Sequence, residues 1–466
     1  MNVRLSIVGL ALVLASTALA DEVAAPESSR ARLHVTAYAD GMALVQETRS
    51  VLLPAGSSSV VVEGLPSRLP PASIIVTAHD AAVSGVRYDL QRLTAATLLE
   101  SHLGKEVTVI RTNPQSGEET TQKATLLAIE GGPVLRIGDR IEAGVPGRIA
   151  YADVPAGLRP RPALFVEVDA PAGGKRDLDI GYMAPGLNWA ADYVLFLDAA
   201  GERARLTGRA IVTNRSGADF PEATLSLVAG EINRETPSVP VPGAARAEAM
   251  MAAPAAAPKR QEIGDVYLYT LPKPVSLADQ EIRQVPLLEA AAVPVTIEYV
   301  STDSVSPFRT GDERTRTNPD VRISFVNAAG GVPGVPLPAG VARVYTADDT
   351  GVARLLGEDS LQATPVGERA TIEPGKAFDI TVSRRQTAFS LIDPQGNVFE
   401  AGYEVAVRNA RGRPVVVRVV EDIPGDWQML QESAKHQQVS AGRVAWPLTV
   451  PAGGGAELTY RVRVRQ

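Results

Sequence analysis

Glu421, Asp422 and Asp426 crowd around Trp427. Acids beside an indole are the residue types of a glycosidase, which needs two carboxyl groups about 5–10 Å apart across a cleft. One would donate a proton, the other would attack or activate water, and the Trp427 ring would stack on the sugar. The same spacing fits a plain turn. Asp422-Ile423-Pro424-Gly425-Asp426 joins Pro and Gly to acids that can cap a reversal of the chain, and this reading is preferred. Asp177 and Asp179, at i and i+2, share one side of a possible strand. Arg461, Arg463 and Arg465 form an outward stripe, with Arg443 on a candidate partner strand. Such a stripe could meet anionic glycans or phosphates. A solvated strand face that keeps a sheet edge from aggregating explains it as well.

Other chemistry is hard to place on this chain. Only His34, His79, His102 and His436 could supply imidazole, and no two stand at i, i+4 as a helical zinc protease requires. The nucleophile elbow G-x-S-x-G and the phosphate loop G-x-x-x-x-G-K do not occur. No metal and no cofactor is expected, and the chain reads as non-enzymatic, with a carbohydrate-active hydrolase using the carboxylates near Trp427 as the alternative. A formal net charge of −7 argues against nucleic acid, whose binders are usually basic.

The elements that must position these residues begin behind a leader. Arg4 precedes an apolar run from Leu5 to Ala15, and Ala18-Leu19-Ala20 precedes Asp21. That order is a secretory signal peptide cleaved after Ala20, which predicts a periplasmic or extracellular protein. Cysteine is absent, so disulfides cannot support the exported chain. No later apolar run reaches the ~18 residues of a membrane span, so no transmembrane segment is expected in the mature chain.

Period-two alternation predicts an all-β protein of antiparallel sandwiches. Leu458, Tyr460, Val462 and Val464 alternate with polar residues, as do Val444, Trp446, Leu448 and Val450. The same pattern puts Phe378, Ile380 and Val382 on one face, and Tyr403, Val405 and Val407 on another. Residues 193–197 and 415–420, apolar on both sides, read as central strands covered on two faces. Trp189 and Trp446 read as core. Pro-Ala-Gly recurs at Pro54, Pro155, Pro171, Pro338 and Pro451 as a turn unit. One helix is expected near 94–103, stopped by Gly104. The parts are a signal peptide (1–20), an N-terminal β module (29–93), and the helix with a small SH3-like barrel (94–158). A β-sandwich region (159–466) follows, interrupted by a Pro- and Ala-rich linker at 235–262, with an Ala-rich helix as the competitor within it. Asn214-Arg215-Ser216 matches a glycosylation sequon, read as incidental.

Several long segments occur in the order of a known family. They are LNWAADYVLFLD (187–198), LTGRAIVTNRSGADFPEATLSLVAGEINR (206–234), VYLYTLPKPVSLADQEIRQVPLL (266–288), VSRRQTAF (382–389) and VRNARGRPVVVRVVEDIPGDWQML (407–430). From Leu187 onward the chain resembles the bacterial family of domain of unknown function 4139. Its opening, VTAYADGMALVQETRSVLLPAGSSSVVVEGLP, is similar to the N-terminal β module of mucoidy-inhibitor A proteins. Where those relatives carry a long coiled coil, this chain has the helix and small barrel. The resemblance implies a β-rich, often exported protein and brings no catalytic residues. The function expected is binding of an envelope protein or glycan through sheet edges and loops.

Overall fold

A computed structural model describes residues 21–90, 93–144, 147–155, 157–230, 259–308, 315–393 and 398–465. Strands make up 65% and helix 3%, so the all-β expectation holds. Among the described residues no helix is long and apolar enough to cross a membrane. The expected leader and most of the expected linker lie outside the described residues. Lys259–Ile263, where the linker was expected to end, is a strand that forms a hairpin with Val266–Thr270.

The chain divides into two compact units. The first runs through Asn188 and adds residues 213–227 and 273–282. One of its sheets orders Asp21–Ala25, Gly56–Val62, Ala163–Ala170 and Ala82–Asp89, the first pair being parallel. A second carries Arg30–Tyr38, Met42–Leu53, Gly174–Pro185 and Ile75–Ala78 side by side. The expected boundary at 158/159 therefore moves. Strand Ala163–Ala170 pairs with both Gly56–Val62 and Ala82–Asp89. Alternation reveals a strand but not its partner, so the 94–155 segment, an insertion between neighbouring strands, looked like a boundary.

That insertion has its own core. Its five antiparallel strands run in the order Arg140–Ala143, Val134–Ile137, Glu119–Ala128, Glu106–Thr112, Arg148–Ala150. Val107, Val109, Leu126 and Leu135 are buried between them. The helix is Ala95–Ser101, capped by Thr94, whose hydroxyl accepts from the Thr97 N–H at 3.1 Å. His102 caps its end, and Gly104, at φ +77°, turns the chain two residues further on.

The second unit comprises 189–212, 228–272 and 283–466. Its C-terminal part is a sandwich. One sheet orders Arg369–Lys376, Asp320–Val326, Thr296–Ser304, Val415–Asp422, Arg443–Val450 and Gln437–Ser440. The other orders Thr315–Thr317, Ile380–Asp393, Val398–Asn409, Gly455–Arg465 and Asp426–Glu432. The alternating residues from both sheets meet in one core that includes Ile380, Tyr403, Val417, Trp446, Leu458 and Val462. Not every pair is antiparallel: Leu187–Leu197 runs parallel to Gly340–Ala347, and Thr296–Ser304 to Val415–Asp422.

Three expectations change. Phe378 precedes its strand and is 90% exposed, because the core alternation starts only at Ile380. Val416 is 53% exposed, so the second face of the 415–420 run is open at that end, and only Val420 is covered there, packed with Val300 and Ala445. Arg443–Val450 and Gly455–Arg465 are not ladder partners, because the Pro451–Gly454 connection crosses from one sheet to the other. Phe378→Ser should therefore shift stability by no more than about 0.5 kcal/mol. Phe399→Ala, at a residue 2% exposed, should cost about 3–5 kcal/mol in urea unfolding. Equal costs would contradict the placement.

A repeated turn device appears where strands end. Asn214, Asn327 and Asn409 each begin an N-x-x-G sequence, and all three are essentially buried. Asn214 Nδ2 reaches the carbonyls of Ala218, Leu277 and Ala278 at 2.9, 3.2 and 3.0 Å. Asn327 Nδ2 reaches those of Val335, Thr364 and Pro365, and Asn409 Nδ2 those of Arg413, Val450 and Pro451. Each amide ties its turn to carbonyls of neighbouring segments, some of which also accept a backbone N–H, as Pro451 does from Gly454 and Thr364 from Leu337. The sequon nitrogen of Asn214 is thus fully used inside the fold.

Candidate functional site

Period two places a charge inside the C-terminal sandwich twice. Ile380, Val382 and Arg384 share the inward face of their strand, and Val417, Val419 and Glu421 that of theirs. The two strands lie in opposite sheets, so the side chains meet across the core. Arg384 donates from Nε to Glu421 Oε1 at 2.8 Å and from Nη2 to Oε2 at 2.9 Å. Nη2 also reaches the Ser304 carbonyl at 3.0 Å, and Asp303 stands 3.7 Å from Nε. The guanidinium lies over the Tyr403 ring at 3.9 Å.

From there an aromatic row crosses the core. Tyr403 stacks on Tyr460 with centroids 5.3 Å apart, and Tyr460 on Trp446 at 4.9 Å. His436 then meets Trp446 and Trp427 edge-on, at 6.1 and 5.7 Å. Glu432 ties the far end: its Oε2 accepts from Trp446 Nε1 at 3.0 Å and from the His436 backbone N–H at 3.0 Å, and lies 2.9 Å from His436 Nδ1.

The ionisations follow from these partners. Burial pushes the Glu421 carboxyl up to about 7, with Arg384 pulling the other way. Burial also works against the Arg384 charge, but Glu421 outweighs it and holds the guanidinium protonated. The partners thus differ in sign of benefit; the cost falls on Glu421, whose side chain has no exposure while Arg384 keeps 14%. At Glu432 burial opposes ionisation, yet the bonds from His436 and Trp446 prevail and lower its pKa.

Each residue singled out in the sequence now has a place. Glu421 lines a recess of about 10 Å³ with Ser301, Asp303, Thr315, Thr317 and Arg384, room for about one water. Asp422, the next strand residue, points the other way and is held by Arg443 Nη2 at 2.9 Å and by Nε. It borders a separate shallow depression beside Ser304, Pro424 and Gly442. Asp426 is exposed at the start of its strand, opposite Arg465. Glu421, Asp422 and Asp426 do not converge on one concavity. Trp427 is half-buried on that same strand and donates from Nε1 to the Ala441 carbonyl at 2.8 Å. Arg461 and Arg463 both grip Glu400, at 2.7 Å each, and the bond from Arg463 above all holds that carboxyl below its usual range. Asp177 and Asp179 do share a face, in the first unit, where each accepts from a hydroxyl: Ser50 on Asp177 and Thr48 on Asp179.

Arg384, Asp303, Tyr403, Tyr460 and Glu432 escape a reading by motif. The available signal is an arginine on the i+4 position of an apolar alternation, and an acid ending another.

These sheets and ion pairs define a multi-sheet all-β protein whose charged core residues tie sheet to sheet. The sequence model of a domain of unknown function, DUF4139, matches residues 178–466, and the chain belongs to that family. None of the curated proteins matches it.

Proposed function

We propose that this protein is an exported, non-enzymatic binding module of the cell envelope, and that it takes an extended polypeptide onto the strand Asp426–Glu432. The observation that carries this is the position of that strand. It is the outer member of its sheet, it keeps the Trp427 ring half-exposed, and the aromatic row behind it fixes its place. An outer strand offers backbone donors and acceptors for a further strand, and side chains beside it select the partner. The leader-like segment before Asp21 supports export. The acids and arginines nearby support a scaffold role, because Glu421, Asp422, Arg461 and Arg463 are already engaged in ion pairs.

A photo-crosslinking residue at 428 or 430, in the full chain expressed in its host, tests this. Adducts with an envelope polypeptide are expected at both positions and not at 378, a control more exposed than 430. Adducts with glycan alone, or equal adducts at all three positions, would overturn the reading.

One observation favours hydrolysis instead: Glu421, with a pKa near 7, shares Arg384 with Asp303. A recess for about one water leaves no seat for a sugar ring. Glycan hydrolysis by the full chain, abolished in Glu421→Gln, would establish that alternative.

A further inference from the structure

The first unit buries a second ionic cluster with a different balance of charge. Val45, Glu47, Arg49 and Val51 alternate on the inward face of Met42–Leu53. Arg49 is completely buried. Its Nη1 donates to the Pro26 carbonyl at 2.6 Å, and its Nη2 to the Glu63 carbonyl at 2.9 Å and to Glu47 Oε1 at 3.1 Å. Arg30, opposite Arg49 in the adjoining ladder, donates from Nε to the other oxygen of Glu47. Tyr182 is opposite Val45 on the other side, which makes it a diagonal neighbour of Glu47 on the same face.

These bonds leave a specific deficit. Both terminal nitrogens of Arg30, Nε of Arg49 and the hydroxyl of Tyr182 are buried without a protein partner. All are donors, and guanidinium nitrogens cannot act as anything else. Two guanidinium groups face one carboxylate, so the cluster carries one uncompensated positive charge away from water. Unmet charged donors in a core are among the costliest features a fold can hold. A water would accept from only two of them and bring two further O–H groups that need acceptors. A small anion accepts only, brings no donor of its own, and cancels the charge.

We propose that the first unit binds a small monovalent anion of the halide class between Arg30, Arg49 and Tyr182. The ion completes the shell of Arg30 and braces the sheet contact through which Arg49 holds the carbonyls of Ala25 and Pro26. It acts as a resident structural ligand, separate from the C-terminal strand edge.

Crystals of the full processed chain grown in potassium bromide decide this by anomalous scattering. The expected result is a buried bromide in hydrogen-bonding contact with Arg30 Nη and Tyr182 Oη. Ordered water there, or bromide only at the surface as an adventitious ion, would overturn the proposal. In solution, exchanging potassium gluconate for bromide at constant ionic strength should raise Tm by about 4 °C, as a ligand of the native state does at roughly ten times its Kd. Tyr182→Phe should shrink that rise, and Arg30→Leu, which removes the excess charge, should abolish it. If Arg30→Leu does not fold, the wild-type titration and Tyr182→Phe still decide; no rise in the wild type contradicts the site.

Discussion

Arg384→Met is expected to destabilise the C-terminal sandwich by about 3–5 kcal/mol at pH 8, because it strands the Glu421 carboxylate in the core. The loss should shrink on acidification. Glu421 already has a folded pKa of about 7, above the ordinary 4.5. A carboxyl raised in this way binds its proton more tightly in the folded chain. Its contribution is fully present below about 4.5 and is lost as pH rises through 7. Without Arg384 the pKa rises further, so at pH 5 the variant holds a neutral acid that costs much less. Adding Glu421→Gln to Arg384→Met should recover part of the loss at pH 8, a non-additivity that only contacting residues show. Urea unfolding at pH 5 and 8 measures all three chains. A cost under about 1 kcal/mol at both pH values would mean that the pair does not hold the sheets together.

Asn409→Ala is the second large effect. One amide nitrogen serves three carbonyls there, and Oδ1 accepts from the Arg411 N–H at 3.0 Å. Alanine removes the amide bonds to the Arg413 and Val450 carbonyls and the acceptor of the Arg411 N–H, while the Pro451 carbonyl keeps its bond from the Gly454 N–H. At about 1–3 kcal/mol for each group that water cannot reach, a total near 2–4 kcal/mol is expected. The equivalent changes at Asn214 and Asn327 should cost about the same, because each makes three such bonds. Asn409→Asp should be worse than alanine at neutral pH, since it sets an anionic oxygen against carbonyl oxygens, and should recover as pH falls and the acid protonates. Losses below about 0.5 kcal/mol at all three positions would show that the N-x-x-G turns hold without their side chains.

Alternation made the sandwich core legible, since Leu458 to Val464 and Val444 to Val450 need only a period of two to announce a buried face. It failed where the partner mattered more than the face. Ala163–Ala170 looked like the opening of a new region, although its neighbours precede the inserted five-stranded sheet. Arg443 seemed aligned with Arg461 and Arg463, but Pro451–Gly454 sends the chain to the opposite sheet. The three acids around Trp427 separated for the same reason: on a strand, adjacent residues face opposite ways, so Glu421 went inward and Asp422 outward. Arg384 stayed hidden because its partner is 37 residues on, in another sheet. The N-x-x-G repeat was written in the sequence three times, yet only the closed turns show what its asparagine does.

The central claim, that the strand Asp426–Glu432 is a binding edge and the ion pairs behind it are scaffold, is tested most directly by amide hydrogen exchange. The full chain is compared alone and with the polypeptide captured at 428 or 430. Protection is expected to rise in 426–432, while strands 380–393 and 415–422 keep the slow exchange of a paired core. Protection centred instead on the recess around Arg384 and Glu421, with 426–432 unchanged, would contradict the account.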